Sequence, residues 1–241
     1  MNWTGSRSQP VRIDGPPLVL PIGNGYPDLV NESISPAPKP SAPLRELLRV
    51  GTMAHHERLE LKLDLMRDSL TRDDYVALLK KMYGFHSPLE AQLCLNPWGK
   101  EDALRLSSRL KQHRLERDLR ALGVGTQVLF SLPLCPHLPK VDTPSTLLGC
   151  LYVLEGSTLG GLLLHRHFQQ RFQIDANSGC AYYSGYGEET RAMWTQFVEY
   201  LKIAEKRSNV DSSSAVDAAV ETFEALEAWL ELQESKAPSI D

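Results

Sequence analysis

Among the seven histidines of the 241-residue chain, His56 stands where an imidazole could do chemistry. Leu44, Leu48, Thr52, His56, Leu59 and Leu63 recur at three- and four-residue intervals, so they share one face of a helix. A histidine on such a face is either a hydrogen-bonded core residue or a metal ligand. Glu60, one turn on, is placed to accept the ring's other N–H and so to fix which nitrogen is left for a metal. His55 lies about 100° around the helix and is expected to face solvent.

A second feature is a run of glycines inside an apolar stretch. Gly149, Gly156, Gly160 and Gly161 lie within residues 144–172, which otherwise read as one long helix. Each glycine in a helix interior costs about 1 kcal/mol relative to alanine, roughly 3–4 kcal/mol together. Gly149, Gly156 and Gly160 fall on one face. Such a stripe serves close helix–helix packing or lets a large planar ligand lie against the backbone.

Other chemistries lack their residues. No histidine belongs to a Glu-x-x-His pair, as a di-iron bundle needs. His56-Glu-Arg-Leu-Glu60 ends in glutamate, so it is not the zinc-protease motif. Cys135-Pro-His137 has no partners at zinc spacing. Neither a phosphate-cradling glycine loop nor a G-x-S-x-G elbow occurs, and no flavin or nicotinamide motif is present. Arg105, Arg109, Lys111, Arg114 and Arg117 read as a solvated basic face, with docking of an acidic partner as the alternative.

The elements that must position these residues are helical. Residues 1–43 hold nine of the sixteen prolines and read as a tail ending in the stiff linker PAPKPSAP. The first helix starts at Leu44. A second starts at Thr71, where Thr-Arg-Asp-Asp resembles a capping box, with a break expected near Ser87–Pro88. A third is expected over about 101–122, stopping at Gly123. Residues 131–144 carry four prolines and are expected to be irregular. The long helix follows over 144–172, with Pro144 in its first turn. After the SGYG turn (184–187) come helices at about 188–205 and 213–233. The expected fold is therefore all-α, a single domain of six to eight helices over 44–235, with a short tail at 236–241.

Composition narrows the partners. The chain is 42% hydrophobic and 23% charged, with a formal net charge of −4, so no global positive field draws in nucleic acid. Four scattered cysteines with no CxxC pair fit a reducing cytoplasm. The first twenty residues do not read as a secretory leader. Residues 147–164 are apolar enough to suggest a membrane helix, but Glu155 at their middle would be costly in lipid, so a buried helix and no membrane span is expected.

Six segments, in order, resemble the heme oxygenase family, most closely its bacterial phytochrome-associated branch. LRVGTMAHHERLE (48–60) is similar to the family's proximal helix, and LGCLYVLEGSTLGG (148–161) to its distal helix. YGFHSPLE (83–90), LERDLRALG (115–123), SGYGEETRAMW (184–194) and TFEALEAWL (222–230) follow the same pattern. The resemblance implies a heme oxygenase-like bundle with heme b, both cofactor and substrate, between the two helices. It makes His56 the proximal iron ligand, with Thr52 and Glu60 beside it. Gly156, Gly160 and Gly161 would let the distal helix cross close over the macrocycle and tilt bound O2 towards its edge. Ordered water near Gly156 and Ser157 would supply protons, although mammalian relatives carry aspartate at the position of Ser157. Arg49, and Tyr152 on the distal helix, would hold the heme propionates.

The implied reaction is oxidative opening of heme to biliverdin, expected as the IXα isomer, with CO and ferrous iron. Electrons would come from a ferredoxin or a flavin reductase, and a phytochrome is an implied acceptor of biliverdin. Two alternatives stay open at this point: a heme-binding or heme-sensing protein without turnover, and a purely structural bundle.

Overall fold

The computed structural model describes residues 42–231. The expected tails, save for residues 42–43, lie outside this range. The described residues form eight α-helices and no strand. They are α1 (Leu44–Leu63), α2 (Arg72–Leu95), α3 (Leu106–Arg109), α4 (Gln112–Ala121), α5 (Thr126–Phe130), α6 (Pro144–Phe172), α7 (Thr190–Ala204) and α8 (Ser212–Glu231).

Two capping boxes start the long helices. At α2, Thr71 Oγ1 accepts the Asp74 N–H at 3.1 Å while Asp74 Oδ2 accepts the Thr71 N–H at 2.9 Å. At α6, Thr143 and Thr146 make the same reciprocal pair at 3.1 and 3.0 Å, with Pro144 at the first helical position. Each satisfies two N–H groups that a helix start leaves unpaired.

Two expected boundaries are corrected. No break occurs at Ser87–Pro88: α2 runs through Pro88 to Leu95. Proline removes the N–H that would bond the carbonyl four residues earlier. That carbonyl, of Gly84, instead accepts the Cys135 N–H at 2.9 Å from the 131–143 loop. The loop comes this close because Gly84 has no side chain; a methyl group there would strike the Pro133 carbonyl and the Trp229 ring. The helix expected over 101–122 is divided into a 3-10 turn (Asp102–Leu104), α3 and α4. Arg105 takes a left-handed conformation (φ 51°) and Leu110 an extended one. The stop at Gly123 holds, with φ 89°.

The core sits around α6. Its residues 147–156 are buried without interruption. It is long and apolar enough to cross a membrane, yet 67% of its most apolar window is buried within the protein, as in the core helix of a bundle. One side of α6 packs on α8, where a methyl group at Gly149 would run into the Ala215 carbonyl oxygen. Gly149 therefore serves close helix packing. α1 lies along α8 in the same direction, since Gly51 meets Val216, His56 meets Phe223, and Arg58 and Lys62 pair with Glu227. α2, α4 and the 175–187 segment close the other side through Tyr75, His86 and Tyr182.

Candidate active site

α1 and α6 both lean on α8 while packing little on each other. Their levels along α8 match. His56 of α1 meets the edge of Phe223, with ring centroids 6.0 Å apart, and Cys150 of α6 accepts a hydrogen bond from Thr222 at 3.3 Å. His56 is thus held abreast of the turn of α6 that leads into Gly156 and Gly160.

The imidazole of His56 is 18% exposed. Burial pushes its pKa down to about 4, so the ring is neutral at physiological pH. Nδ1 faces Glu60 Oε2 at 3.5 Å, the outer limit of a hydrogen bond, which directs Nε2 away from Glu60. A neutral imidazole is the form that ligates iron. Thr52, one turn earlier and buried, donates to the Leu48 carbonyl at 2.8 Å and belongs to the helix itself. His55 differs from expectation. Its side chain is only 19% exposed, lies 4.0 Å from Glu224 and contacts Arg58 Nη2 through Nδ1 at 3.0 Å. It belongs to the charged seam between α1 and α8.

Arg49 forms a bidentate pair with Glu46, at 3.0 Å through Nε and 2.6 Å through Nη2. Tyr152 is buried against Trp194, with its phenol within the electrostatic reach of Arg45 and Arg49. Its burial raises the phenol to about 12 against the pull of those two cations, so it stays a neutral donor. Arg49 on α1 and Tyr152 on α6 are therefore near enough to act on each other electrostatically.

On α6, Gly156 is buried, Ser157 exposed and Gly160 half-buried. Ser157 and Thr158 turn their hydroxyls back on the helix, donating to the carbonyls of Leu154 and Glu155 at 2.8 and 2.6 Å. Gly161 points elsewhere: a methyl group there would lie 3.2 Å from the Tyr183 carbonyl oxygen. Its close approach is to the 175–187 segment.

Sequence reasoning missed the cluster behind α6. Arg109 and Lys111 do not belong to a solvated face; they are 3% exposed and converge on Glu155, which is fully buried. Lys111 Nζ donates to Glu155 Oε1 at 2.9 Å, Tyr186 Oη donates to the same oxygen at 2.6 Å, and Arg109 Nη1 donates to Oε2. Burial alone would raise the Glu155 carboxyl; Lys111 and Arg109 outweigh it and hold it below its ordinary value. The signal was present in the sequence. A carboxylate in the middle of an apolar helix must find cations if that helix is buried. Arg105 and Arg117 do reach the surface.

The chain matches the family model for heme oxygenase over residues 42–232. No curated protein matches it in sequence. Among solved structures, the NO- and CO-bound heme oxygenase from Neisseria meningitidis is similar in fold. Its TM-score is 0.63 at 21% identity, over 79% of this chain and 91% of that one. The family match runs through every described helix, from the one carrying His56 to the one that braces it, and on that ground the chain belongs to the heme oxygenase family of oxidoreductases.

Proposed function

We propose that the protein binds heme between α1 and α6 through His56 Nε2 and cleaves it with O2 and external electrons to biliverdin IXα, CO and ferrous iron. The observation that carries this reading is the neutral, half-buried imidazole of His56, held on α8 at the level where Cys150, in the turn of α6 before Gly156, meets Thr222. Bound heme supplies both the iron at which O2 is reduced and the macrocycle that is opened. The chain's own residues bind and orient. Glu60 Oε2, 3.5 Å from His56 Nδ1, is placed to steady the ring by that nitrogen. Gly156 and Gly160 give the macrocycle room against the backbone, and the exposed Ser157 side offers a place for water that delivers protons. Because Ser157 donates to its own helix, its oxygen remains an acceptor for such water.

Orientation in the heme plane falls to Arg49 and Tyr152. Pairing with Glu46 uses Arg49 Nε and Nη2, which leaves Nη1 for a propionate. Tyr152 stays protonated and can donate to the same edge. Electrons come from a separate ferredoxin or flavin reductase, in keeping with the lack of a flavin or nicotinamide motif in the sequence. A cytoplasmic setting suits the four free thiols. A phytochrome is the proposed taker of the biliverdin, on the strength of the branch that the six segments resemble.

Chromatography of the pigment after reductive turnover of the hemin-loaded protein tests the reading. Biliverdin IXα is expected, with β or δ isomers appearing in Arg49→Ala. A heme spectrum that persists without biliverdin would instead mark a binding protein without turnover. Dominant β or δ product from the unmodified chain would overturn the propionate assignment.

A further inference from the structure

We propose that Glu155 is a positioning residue of the oxygenation: clamped from behind by Lys111, Arg109 and Tyr186, it sets how the Gly156–Gly160 stretch of α6 lies over heme. This rests on the reading that heme lies against that stretch.

Within the stretch only Thr158 and Leu159 offer side chains to the packed interior. Two of its five residues are glycines, which have no side chain to pack. Ser157 and Thr158 direct their hydroxyls to the carbonyls three residues earlier, a local bond that competes with the helix ladder and bends helices. A helix segment with weak internal determinants takes its position from the nearest firm anchor. The residue immediately before Gly156 is that anchor.

Glu155 receives three donors on two oxygens, and the two cationic donors are themselves fixed. The Lys111 and Gln112 N–H groups donate to Glu90 at 2.8 and 3.1 Å, and Lys111 Nζ also reaches the Arg109 carbonyl at 3.2 Å. Arg109 Nε donates to the Leu104 carbonyl at 2.8 Å and Nη1 to that of Met193 at 3.2 Å. Glu90 is in turn held by His86 at 2.9 Å. The clamp therefore ties α6 to α2, α4 and α7 at one point. A buried charge cluster is weak as a source of stability, because apolar residues of similar volume do as well. What it supplies is one permitted position. Glu155 lies about 100° around the helix from Gly156, so it can fix the rotation of α6 without entering the heme side.

Two variants loosen the clamp gently. Tyr186→Phe removes one hydroxyl. Lys111→Met removes one cation and leaves Arg109 to balance Glu155, and Lys111→Arg restores the charge. The test is made on the full chain loaded with hemin, reading the pH midpoint of the acid–alkaline spectral transition of the ferric complex alongside melting temperature and hemin affinity. Tyr186→Phe and Lys111→Met are expected to move the midpoint by at least 0.5 pH unit, with hemin affinity kept within about threefold, and Lys111→Arg to return it. A purely structural clamp would lower the melting temperature and leave the midpoint within 0.1 unit; that result overturns the proposal. If one variant fails to fold, the other decides. Gly160→Ala separates the two levels. If it moves the midpoint while the clamp variants do not, only the positioning role falls. If it too leaves the midpoint unmoved, heme does not lie against this stretch and the site reading falls.

Discussion

Burial, not a charged partner, sets the state of His56. Its pKa is pushed down to about 4, whereas a histidine in the unfolded chain titrates near 6.5. As pH falls, the unfolded chain therefore takes up the proton first. The stability tied to this residue is full above pH 6.5 and is lost on the way down to about pH 4, by up to about 3 kcal/mol. His56→Phe keeps a ring against Phe223 and removes the titration. The difference in unfolding free energy between wild-type and His56→Phe apoproteins should thus change by about 2–3 kcal/mol between pH 7 and pH 4. Asp118, which burial raises to about 6, acts in the opposite sense but does so in both proteins and cancels. A difference that stays flat would show that His56 is solvated. At this scale the site was legible where periodicity speaks: the phase of Leu44, Leu48 and Thr52 carries His56 with it. Glu155 signals that cations must be near, but not that Arg109 and Lys111 are the ones. Their burial depends on Glu155, which lies more than forty positions away, and no local pattern distinguishes them from surface cations.

The elements were legible wherever a start or stop signal acts within a few residues. Thr71 with Asp74, Pro144 and Gly123 mark their boundaries as the sequence suggests. The expected break at Pro88 does not occur because its compensation is tertiary: the donor that replaces the lost N–H comes from Cys135. The glycine stripe likewise divides only in three dimensions. Gly149 meets α8 and Gly161 meets Tyr183, whereas Gly156 and Gly160 are the two assigned to the proposed ligand. Two substitutions separate these roles. Gly149→Ala presses a methyl group into the Ala215 carbonyl and should destabilise the apoprotein by about 2 kcal/mol, as overpacked cores do, or roughly 4–8 °C in melting temperature. Gly160→Leu should leave the melting temperature nearly unchanged, since leucine favours helix over glycine, while hemin titration shows binding lost or weakened at least tenfold. Equal hemin binding in Gly160→Leu and wild type would remove this glycine from the site.

At the scale of the whole molecule, α8 is the spine. It holds α1 through Val216, Phe223 and Glu227, and α6 through Ala215, Ala218 and Thr222, so the facing of the two helices depends on neither gripping the other. The family accounts for this order of helices, and the fold is shared with the Neisseria meningitidis enzyme. The central claim is that His56, and not the neighbouring His55 locked into the α1–α8 seam, carries the heme that is opened. It is tested most directly by single turnover of hemin-loaded wild type, His55→Ala and His56→Ala under O2 with an external reductant, following the Soret band and the appearance of biliverdin. Wild type and His55→Ala should both pass from the heme spectrum to biliverdin, and His56→Ala should lose the histidine-ligated spectrum and form none. Biliverdin from His56→Ala, together with a shifted Soret band and no product in His55→Ala, would contradict the account.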